Sequence, residues 1–191
     1  MNTKIYFGIF AVSLILLPSF AYGEPAFNAN DIISDYELQA SDSMNREDID
    51  AFLKDKGGAI STMKISDKDG IQREASDIIS RAAKEHKINP KYLLVKLQKE
   101  QSLVLENSPT QKQLDWATGY GICDSCSMND PALQKQKGFG TQVDSAAAIM
   151  RWYYDNLNTE RWIKRANTNY TIDGQSVTPL SHATAFLYTY T

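Results

Sequence analysis

Apolar residues recur at helical spacing along the segment from Asn89 to Val104. Asn89 is suited to cap a helix, and Pro90 suits its first position. At about 100° per residue, one stripe of this predicted helix combines apolar side chains with one carboxylate: Leu93, Leu97, Glu100 and Val104. An unpaired carboxylate is costly to bury. We therefore expect Glu100 either to be paired or to lie at a cleft where a raised pKa is useful, and a surface glutamate on an irregular stripe is the simpler alternative.

Other segments of the chain also show helical periodicity and define a mainly α fold class. Helices are predicted over Asn45–Lys56, Ile71–His86, about Gln142–Leu157 and from Leu180 to Thr191, where the chain stops within the pattern. Only Lys87 and Ile88 separate the second of these from the helix at Asn89, so the two are predicted to pack as a central hairpin. No segment has a convincing strand period. The glycine-rich stretch from Thr118 to Gly140 is predicted to form ordered loops over a binding face.

The first residues carry the pattern of an export signal. Lys4 precedes an apolar run from Ile5 to Leu17, and Ala21-Tyr22-Gly23 follows as a small-residue cleavage pattern. We therefore expect residues 1–23 to be a signal peptide. The run is short for about 30 Å of hydrocarbon, which argues against an uncleaved membrane anchor. No second run is long and apolar enough to span a membrane.

Charge limits the classes of partner. The whole chain has a net charge of −3, and loss of Lys4 with the signal peptide makes it −4. A mildly acidic protein is a poor candidate for binding nucleic acid, because phosphate contacts need a basic patch. No cofactor is indicated, and the sequence carries no signal for an oligomeric state. The 168 residues after Gly23 suffice for one domain with a real core,.

Two cysteines, Cys123 and Cys126, stand in a C-x-x-C spacing. In an exported chain the first interpretation is a short disulfide, because the compartment is oxidising. A redox pair is the second, although such pairs usually open a helix. A zinc site is the third, but the chain offers only His86 and His182 as further histidine ligands,. His86 is more simply a favourable cation at a helix C-terminus.

Several segments together resemble the lysozyme-like superfamily, in particular the lytic transglycosylase domains that cut peptidoglycan. The segments that carry the resemblance are Ile88–Leu94, Leu97–Ser102, Gly119-Tyr120-Gly121, Ser145–Ala148 and Tyr188 or Tyr190. The chain departs from that pattern at Gln101, which separates Glu100 from Ser102, and in the glycine loop, which lacks the usual Gly-Leu-Met-Gln. The chain also resembles a group of uncharacterised exported bacterial proteins along nearly its whole mature length.

The resemblance implies a fold, a domain division and a set of site residues. It implies a lysozyme-like catalytic domain over residues 71–191, which either ends tightly at the C-terminus or is cut short there, after an N-terminal extension over 24–70 with a short helix. It implies Glu100 as the catalytic acid and peptidoglycan glycan strands as the partner, in the periplasm, cell envelope or medium of a bacterium. The expected substrate-binding residues are Gln101, Ser102, Tyr120, Gln142 and Tyr188. Trp116 and Phe139 are further candidates for stacking on sugar rings, although most aromatics in a small domain are core.

Glycosidic oxygen leaves only when protonated, so an acid of raised pKa is required beside it. A lytic transglycosylase then uses the same group to take a proton from the sugar's 6-hydroxyl, which needs one carboxylate. A hydrolytic muramidase or glucosaminidase normally needs a second carboxylate about 5–10 Å away. The loops offer Asp115, Asp124 and Asp130, each more simply a turn or cap residue,. The alternative that is not an enzyme is a glycan-binding module without catalytic activity. A thiol-redox protein that uses the two cysteines is a further hypothesis, which we expect to be wrong.

Overall fold

The computed structural model describes residues 27–123 and 127–190. The chain is mainly α, as predicted, and within the described residues two short antiparallel hairpins accompany the helices. The elements are α1 Asp35–Gln39, α2 Arg46–Lys56, β1 Lys64–Ser66, β2 Gln72–Glu74, α3 Ala75–His86, α4 Pro90–Gln101, α5 Gln111–Asp115, α6 Pro131–Gln134, α7 Phe139–Asn156, β3 Tyr170–Ile172, β4 Gln175–Val177 and α8 His182–Tyr190. The predicted signal peptide, residues 1–23, lies outside the described residues.

Helix α3 is the centre of the domain. It packs against α2, α4 and α7, and its isoleucines and alanines fill the space between them. Large apolar side chains of the flanking helices are fully buried in the same cluster: Ile49 and Leu53 from α2, Leu93 and Leu97 from α4, and Val143 and Met150 from α7. The predicted helix hairpin of α3 and α4 is therefore confirmed.

Asn89 does more than begin α4. Its side-chain oxygen accepts a hydrogen bond from the Lys91 amide at 2.9 Å, as predicted for an N-cap,. The same residue also connects α4 to the segment around α1. Its Nδ2 donates to the Glu37 carbonyl at 2.8 Å, and its backbone amide donates to the Leu38 carbonyl at 2.8 Å. The segment around α1 is thus tied to the start of α4 by this buried asparagine.

The helix predicted from Ile71 begins only at Ala75, because the residues before it form a strand. Lys64 pairs with Glu74 and Ser66 pairs with Gln72 across the β1–β2 hairpin. Asp67 follows β1, and its buried carboxylate accepts hydrogen bonds at 2.8–2.9 Å from Arg73 and Arg81. Three-residue strands are too short for a period-two pattern, so this hairpin could not be found from hydrophobic alternation.

Helix α4 is shorter than its apolar stripe suggested. Ser102 adopts a left-handed conformation with φ of 58° and ends the helix. Its amide donates to the Gln98 carbonyl at 2.9 Å, which satisfies one of the last carbonyls of the helix,. Leu103 and Val104 are buried in the turn that follows. Glu100 therefore lies in the last turn of α4 and not in its middle.

Gly140, in the first turn of α7, sets the distance between α7 and the β1–β2 turn. A Cβ atom at this position would lie 2.6 Å from the Asp67 carbonyl carbon and 2.6 Å from the Lys68 amide nitrogen. We predict that Gly140→Ala lowers the free energy of unfolding by about 2–3 kcal/mol, because backbone has to move. Gly57→Ala is the matched control, since Gly57 has open space but a φ of 76°. It should cost about 1 kcal/mol, and urea unfolding that ranks the two variants equally would contradict the packing argument.

Candidate functional site

A polar stripe on α4 leads to the candidate site. Tyr92, Lys96 and Glu100 follow at four-residue spacing, so their side chains lie on one face of the helix,. Tyr92 and Lys96 are buried, whereas the Glu100 side chain is about one quarter exposed (26%). Lys96 was not among the predicted site residues, because a helical lysine is usually solvated. The spacing of four between Lys96 and Glu100 was the signal that could have found it.

Glu100 is paired with two ammonium groups. Its Oε1 accepts hydrogen bonds from Lys96 at 2.8 Å and from Lys99 at 3.1 Å. Burial alone would raise the pKa of the Glu100 carboxyl, but these hydrogen bonds and charges outweigh it and lower the pKa below its ordinary value,. Of the two alternatives that the sequence offered for Glu100, the structure shows the pairing, and the raised pKa is wrong for the protein without substrate. Glu100 is held as an anion, because the cations favour its charged form.

Lys96 is held between Glu100 and an aromatic ring. Burial lowers the pKa of its ammonium, and the hydrogen bond and charge of Glu100 offset part of that effect. The ammonium lies 4.4 Å from the ring centre of Tyr190, in α8, which is a cation–π distance. Burial also raises the pKa of the Tyr190 hydroxyl. That hydroxyl, like that of Tyr92, is buried with no hydrogen-bond partner among the described residues.

The predicted glycine loop covers the free side of the Glu100 carboxylate. Gly119 has a φ of 68°, which glycine adopts without strain,. A Cβ atom at Gly119 would lie 3.3 Å from Glu100 Oε2, the carboxylate oxygen that accepts neither of the two lysine hydrogen bonds. The absence of a side chain at Gly119 thus lets the loop backbone lie against the carboxylate. Any other side chain there would be strained and would crowd it.

Gln142 of α7 holds this loop in place. Its side chain is fully buried, and its Oε1 accepts from the amides of Thr118 at 3.3 Å and Tyr120 at 3.0 Å. Its Nε2 donates to the carbonyls of Tyr120 at 3.1 Å and Gln136 at 2.8 Å. The expectation that Gln142 contacts substrate is corrected here: it has no exposed surface, and its amide is saturated by backbone. Its role is to position Tyr120 and its neighbours.

A groove of about 530 Å³ opens beside the loop. Three tyrosines from three parts of the chain line it: Tyr120 from the loop, Tyr153 from α7 and Tyr190 from α8. The rings of Tyr120 and Tyr190 lie 6.5 Å apart. Ile149, Leu133 and Gln136 complete much of its wall. Gly119 belongs both to the groove lining and to the cover of Glu100, so this one residue connects the carboxylate to the groove, although Glu100 itself does not line it.

The other expected substrate-binding residues do not line the groove. Tyr188 donates its hydroxyl to the Ala29 carbonyl at 2.8 Å and so fastens the N-terminal segment. Of the two late tyrosines considered, Tyr190 is the one that lines the groove. Ser102 is exposed as the cap of α4, and the Gln101 carbonyl accepts from Gln113 at 3.1 Å. Neither residue lines the groove. Trp116 and Phe139, the further stacking candidates, are buried.

The candidate second carboxylates divide into three cases. Asp115 is paired with Lys137 at 3.1 Å and accepts from Gln111 at 2.9 Å, and it does not line the groove. Asp130 does line the groove, but it caps α6 by accepting from the Ala132 amide at 2.8 Å. Asp124 lies outside the described residues. The predicted disulfide also stays a prediction, because Cys126 lies outside them.

Glu85, His86 and Asp144 bring three possible metal-ligating atoms within 4.8 Å of one another. Cations of the protein already contact both carboxylates: Lys68 lies 2.7 Å from Glu85 and 2.9 Å from Asp144, and Arg81 lies 2.9 Å and 2.7 Å from them. Burial would raise the pKa of Asp144, but its hydrogen bonds, first from His86, lower it. The cluster is thus an ion-pair network that joins α3 to α7.

A family model described as LasA, N-terminal domain, matches residues 31–187, which is most of the chain. The chain belongs to the LasA N-terminal domain family. No curated protein and no solved structure matches it. Membership points to an exported, peptidoglycan-related protein. Within residues 27–123 and 127–190, no helix combines the length and apolar character needed to cross a membrane.

We predict that Lys96→Met raises the pKa of Glu100, because burial remains while the main hydrogen bond and charge are lost,. Lys99→Met is the control and should raise it less, since Lys99 is 69% exposed and its charge is screened by water,. Carbon-detected NMR titration of the Glu100 carboxyl measures both. A lowered folded-state pKa stabilises the wild-type fold above the unfolded value near 4.3, and this contribution disappears as pH falls through the folded pKa. In Lys96→Met the free energy of unfolding should lose this dependence on acidic pH. An unchanged pKa of Glu100 in this variant would contradict the ion pair.

We predict that Gln142→Leu lowers the free energy of unfolding by about 3 kcal/mol and speeds amide exchange at Tyr120, because buried backbone groups lose their partners. Gln98→Leu is the matched control, since the Gln98 Oε1 is buried with no partner among the described residues. Its removal should be neutral or stabilising. Equal effects of the two variants in urea unfolding would contradict the positioning role of Gln142.

Proposed function

We propose that the chain is a peptidoglycan-cleaving enzyme that acts as a lytic transglycosylase with Glu100 as its acid and base. The supporting observation is that Gly119, which lines the groove together with three tyrosines, also lies against the Glu100 carboxylate. Aromatic rings offer apolar faces with polar edges, which suits sugar rings. Export, indicated by the family, is the condition for reaching peptidoglycan outside the cytoplasm.

The number of carboxylates supports transglycosylation over hydrolysis. Among the described residues that line the groove, Asp130 is the one carboxylate, and it is engaged as a helix cap. A route without an activated water needs no second carboxylate. In that route Glu100 donates its proton to the glycosidic oxygen, and the bond from that oxygen to the sugar's C1 breaks. The sugar's own 6-hydroxyl then bonds to C1 and returns its proton to Glu100, which leaves a 1,6-anhydro sugar.

Glu100 has to gain a proton before it can act, because the free protein holds it as an anion. A glycan over the groove would reduce the access of water to the carboxylate. This desolvation favours the neutral carboxyl. The enzyme would therefore work best at mildly acidic pH, where the cost of protonating Glu100 is smaller.

A non-catalytic glycan-binding module is the second candidate, and one observation favours it. Lys96 is buried beside Glu100 and cannot be displaced as easily as Lys99. A lasting ion pair would keep Glu100 ionised and make it a structural residue that holds the groove edge. In that case the groove and its tyrosines would bind glycan without cutting it.

Digestion of purified peptidoglycan by residues 24–191 tests the proposal, with products identified by mass spectrometry. We expect anhydro-muropeptides from the wild type and none from Glu100→Gln. This substitution keeps the shape of the side chain, but its amide has no acidic proton to transfer. Glu106→Gln is the matched control, because Glu106 follows in the next turn, does not line the groove, and its carboxylate accepts a hydrogen bond from the nearby Ser108 amide at 2.9 Å. It should retain activity.

Two outcomes contradict the transglycosylase. Products heavier by one water would establish hydrolysis and direct attention to Asp115, Asp124 and Asp130. No product from a folded wild type that still binds the sacculus would establish the binding module.

A further inference from the structure

Two tryptophans form an exposed aromatic patch next to the groove. Trp162 is 57% exposed and Trp152 is 37% exposed. Their rings are stacked, with centroids 5.8 Å apart and an angle of 26° between the planes. Large aromatic side chains usually contribute to the core because their burial is strongly favourable. An exposed stacked pair therefore marks a binding surface more than a packing device.

The segment that carries Trp162 is held rigidly. The Arg165 guanidinium donates to four backbone carbonyls of the preceding turn, those of Leu157, Glu160, Arg161 and Ile163. The Trp162 indole N–H donates to Glu160 Oε2 at 2.9 Å, which sets the orientation of the ring. A surface that is ordered before its ligand arrives loses little conformational entropy on binding. The exposed rings are thus prepared for a ligand.

The patch is continuous with the groove. Ile149 and Tyr153 of α7 line the groove, and Trp152 lies on the same side of the helix, three residues after Ile149,. The Tyr153 ring contacts both indoles edge-on, with centroid distances of 5.9 Å to Trp152 and 5.9 Å to Trp162. A ligand that leaves the groove past Tyr153 would therefore meet these rings next.

We propose that Trp152 and Trp162 form a glycan-stacking platform that extends the groove and binds further sugar rings of the same peptidoglycan strand. This inference rests on the proposed function. The ligand is a saccharide because a flat, rigid indole matches the apolar face of a sugar ring, while Glu160 and Arg161 beside it can meet the polar ring edges,. The platform adds affinity for long strands and leaves the chemistry at Glu100 unchanged.

The test measures binding of soluble peptidoglycan glycan strands of defined length, freed of stem peptides, to Trp162→Ala. Long strands should bind to Trp162→Ala about two- to tenfold more weakly than to wild type, because that is the range of affinity expected from one aromatic contact. Short oligosaccharides that fill only the groove should bind equally well to both proteins. This dependence on length is a result that a merely structural role of Trp162 would not produce.

Two further variants serve as controls. Trp162→Phe should recover most of the lost affinity. Tyr36→Ala, at an exposed tyrosine of α1 that lies outside the groove and the platform, should bind glycan as the wild type does.

Iodide quenching of the wild type gives a second readout that needs no variant. Trp116 is buried, so quenching reports on Trp152 and Trp162. Long strands should protect this fluorescence and short oligosaccharides should not. Equal binding of long strands by wild type and Trp162→Ala, or no protection by bound long strands, would overturn the platform while the groove proposal stands. A folded wild type that binds no glycan of any length would overturn both.

Discussion

The buried amide of Gln142 is the interaction on which the candidate site depends. It joins α7 to the backbone of the loop at Thr118 and Tyr120 by hydrogen bonds on both its oxygen and its nitrogen. That loop in turn places Gly119 against Glu100 and the Tyr120 ring in the groove. A single side chain with no exposed surface therefore determines how the carboxylate and the groove meet. An amide that is buried away from water forms strong, directional hydrogen bonds, which is why one side chain can hold the loop.

The charge state of Glu100 determines which chemistry the groove can perform. Two lysines favour its anion, while its partial burial favours the neutral acid. The lysines prevail in the free protein, so the site is not a resting general acid. The proposed function requires that a bound glycan change this balance by excluding water from the carboxylate. Lys96 is the part of the balance that a ligand cannot easily reach, because it lies under the Tyr190 ring.

Helical periodicity and capping residues predicted most of the fold. Asn45 begins α2, where it forms a capping box with Asp48, and Gly57 ends that helix with a φ of 76°. Asn89 begins α4 as predicted. The two hairpins could not be predicted, since three-residue strands are too short to show alternation. The burial of Asp67 between two arginines could not be predicted either, because a sequence pattern does not show which charges pair.

The site was predictable only in part. Glu100 and the glycine loop were found from the stripe and the glycines, and the structure places them in contact. Lys96 was missed, and Gln142 was given a substrate role, because burial of a polar side chain depends on what packs around it. Sequence spacing alone could not distinguish Tyr188, which binds the Ala29 carbonyl, from Tyr190, which lines the groove. A residue's side of a helix follows from periodicity, but its partners do not.

The proposed function requires that a glycan in the groove convert Glu100 from an anion to an acid. NMR titration of the Glu100 carboxyl, with and without a thio-linked glycan strand that cannot be cleaved, tests this requirement. We expect the pKa of Glu100 to lie below its ordinary value in the free protein and to rise when the strand binds. A pKa that stays low in the saturated complex would contradict the requirement and leave Glu100 as a structural ion-pair partner of Lys96.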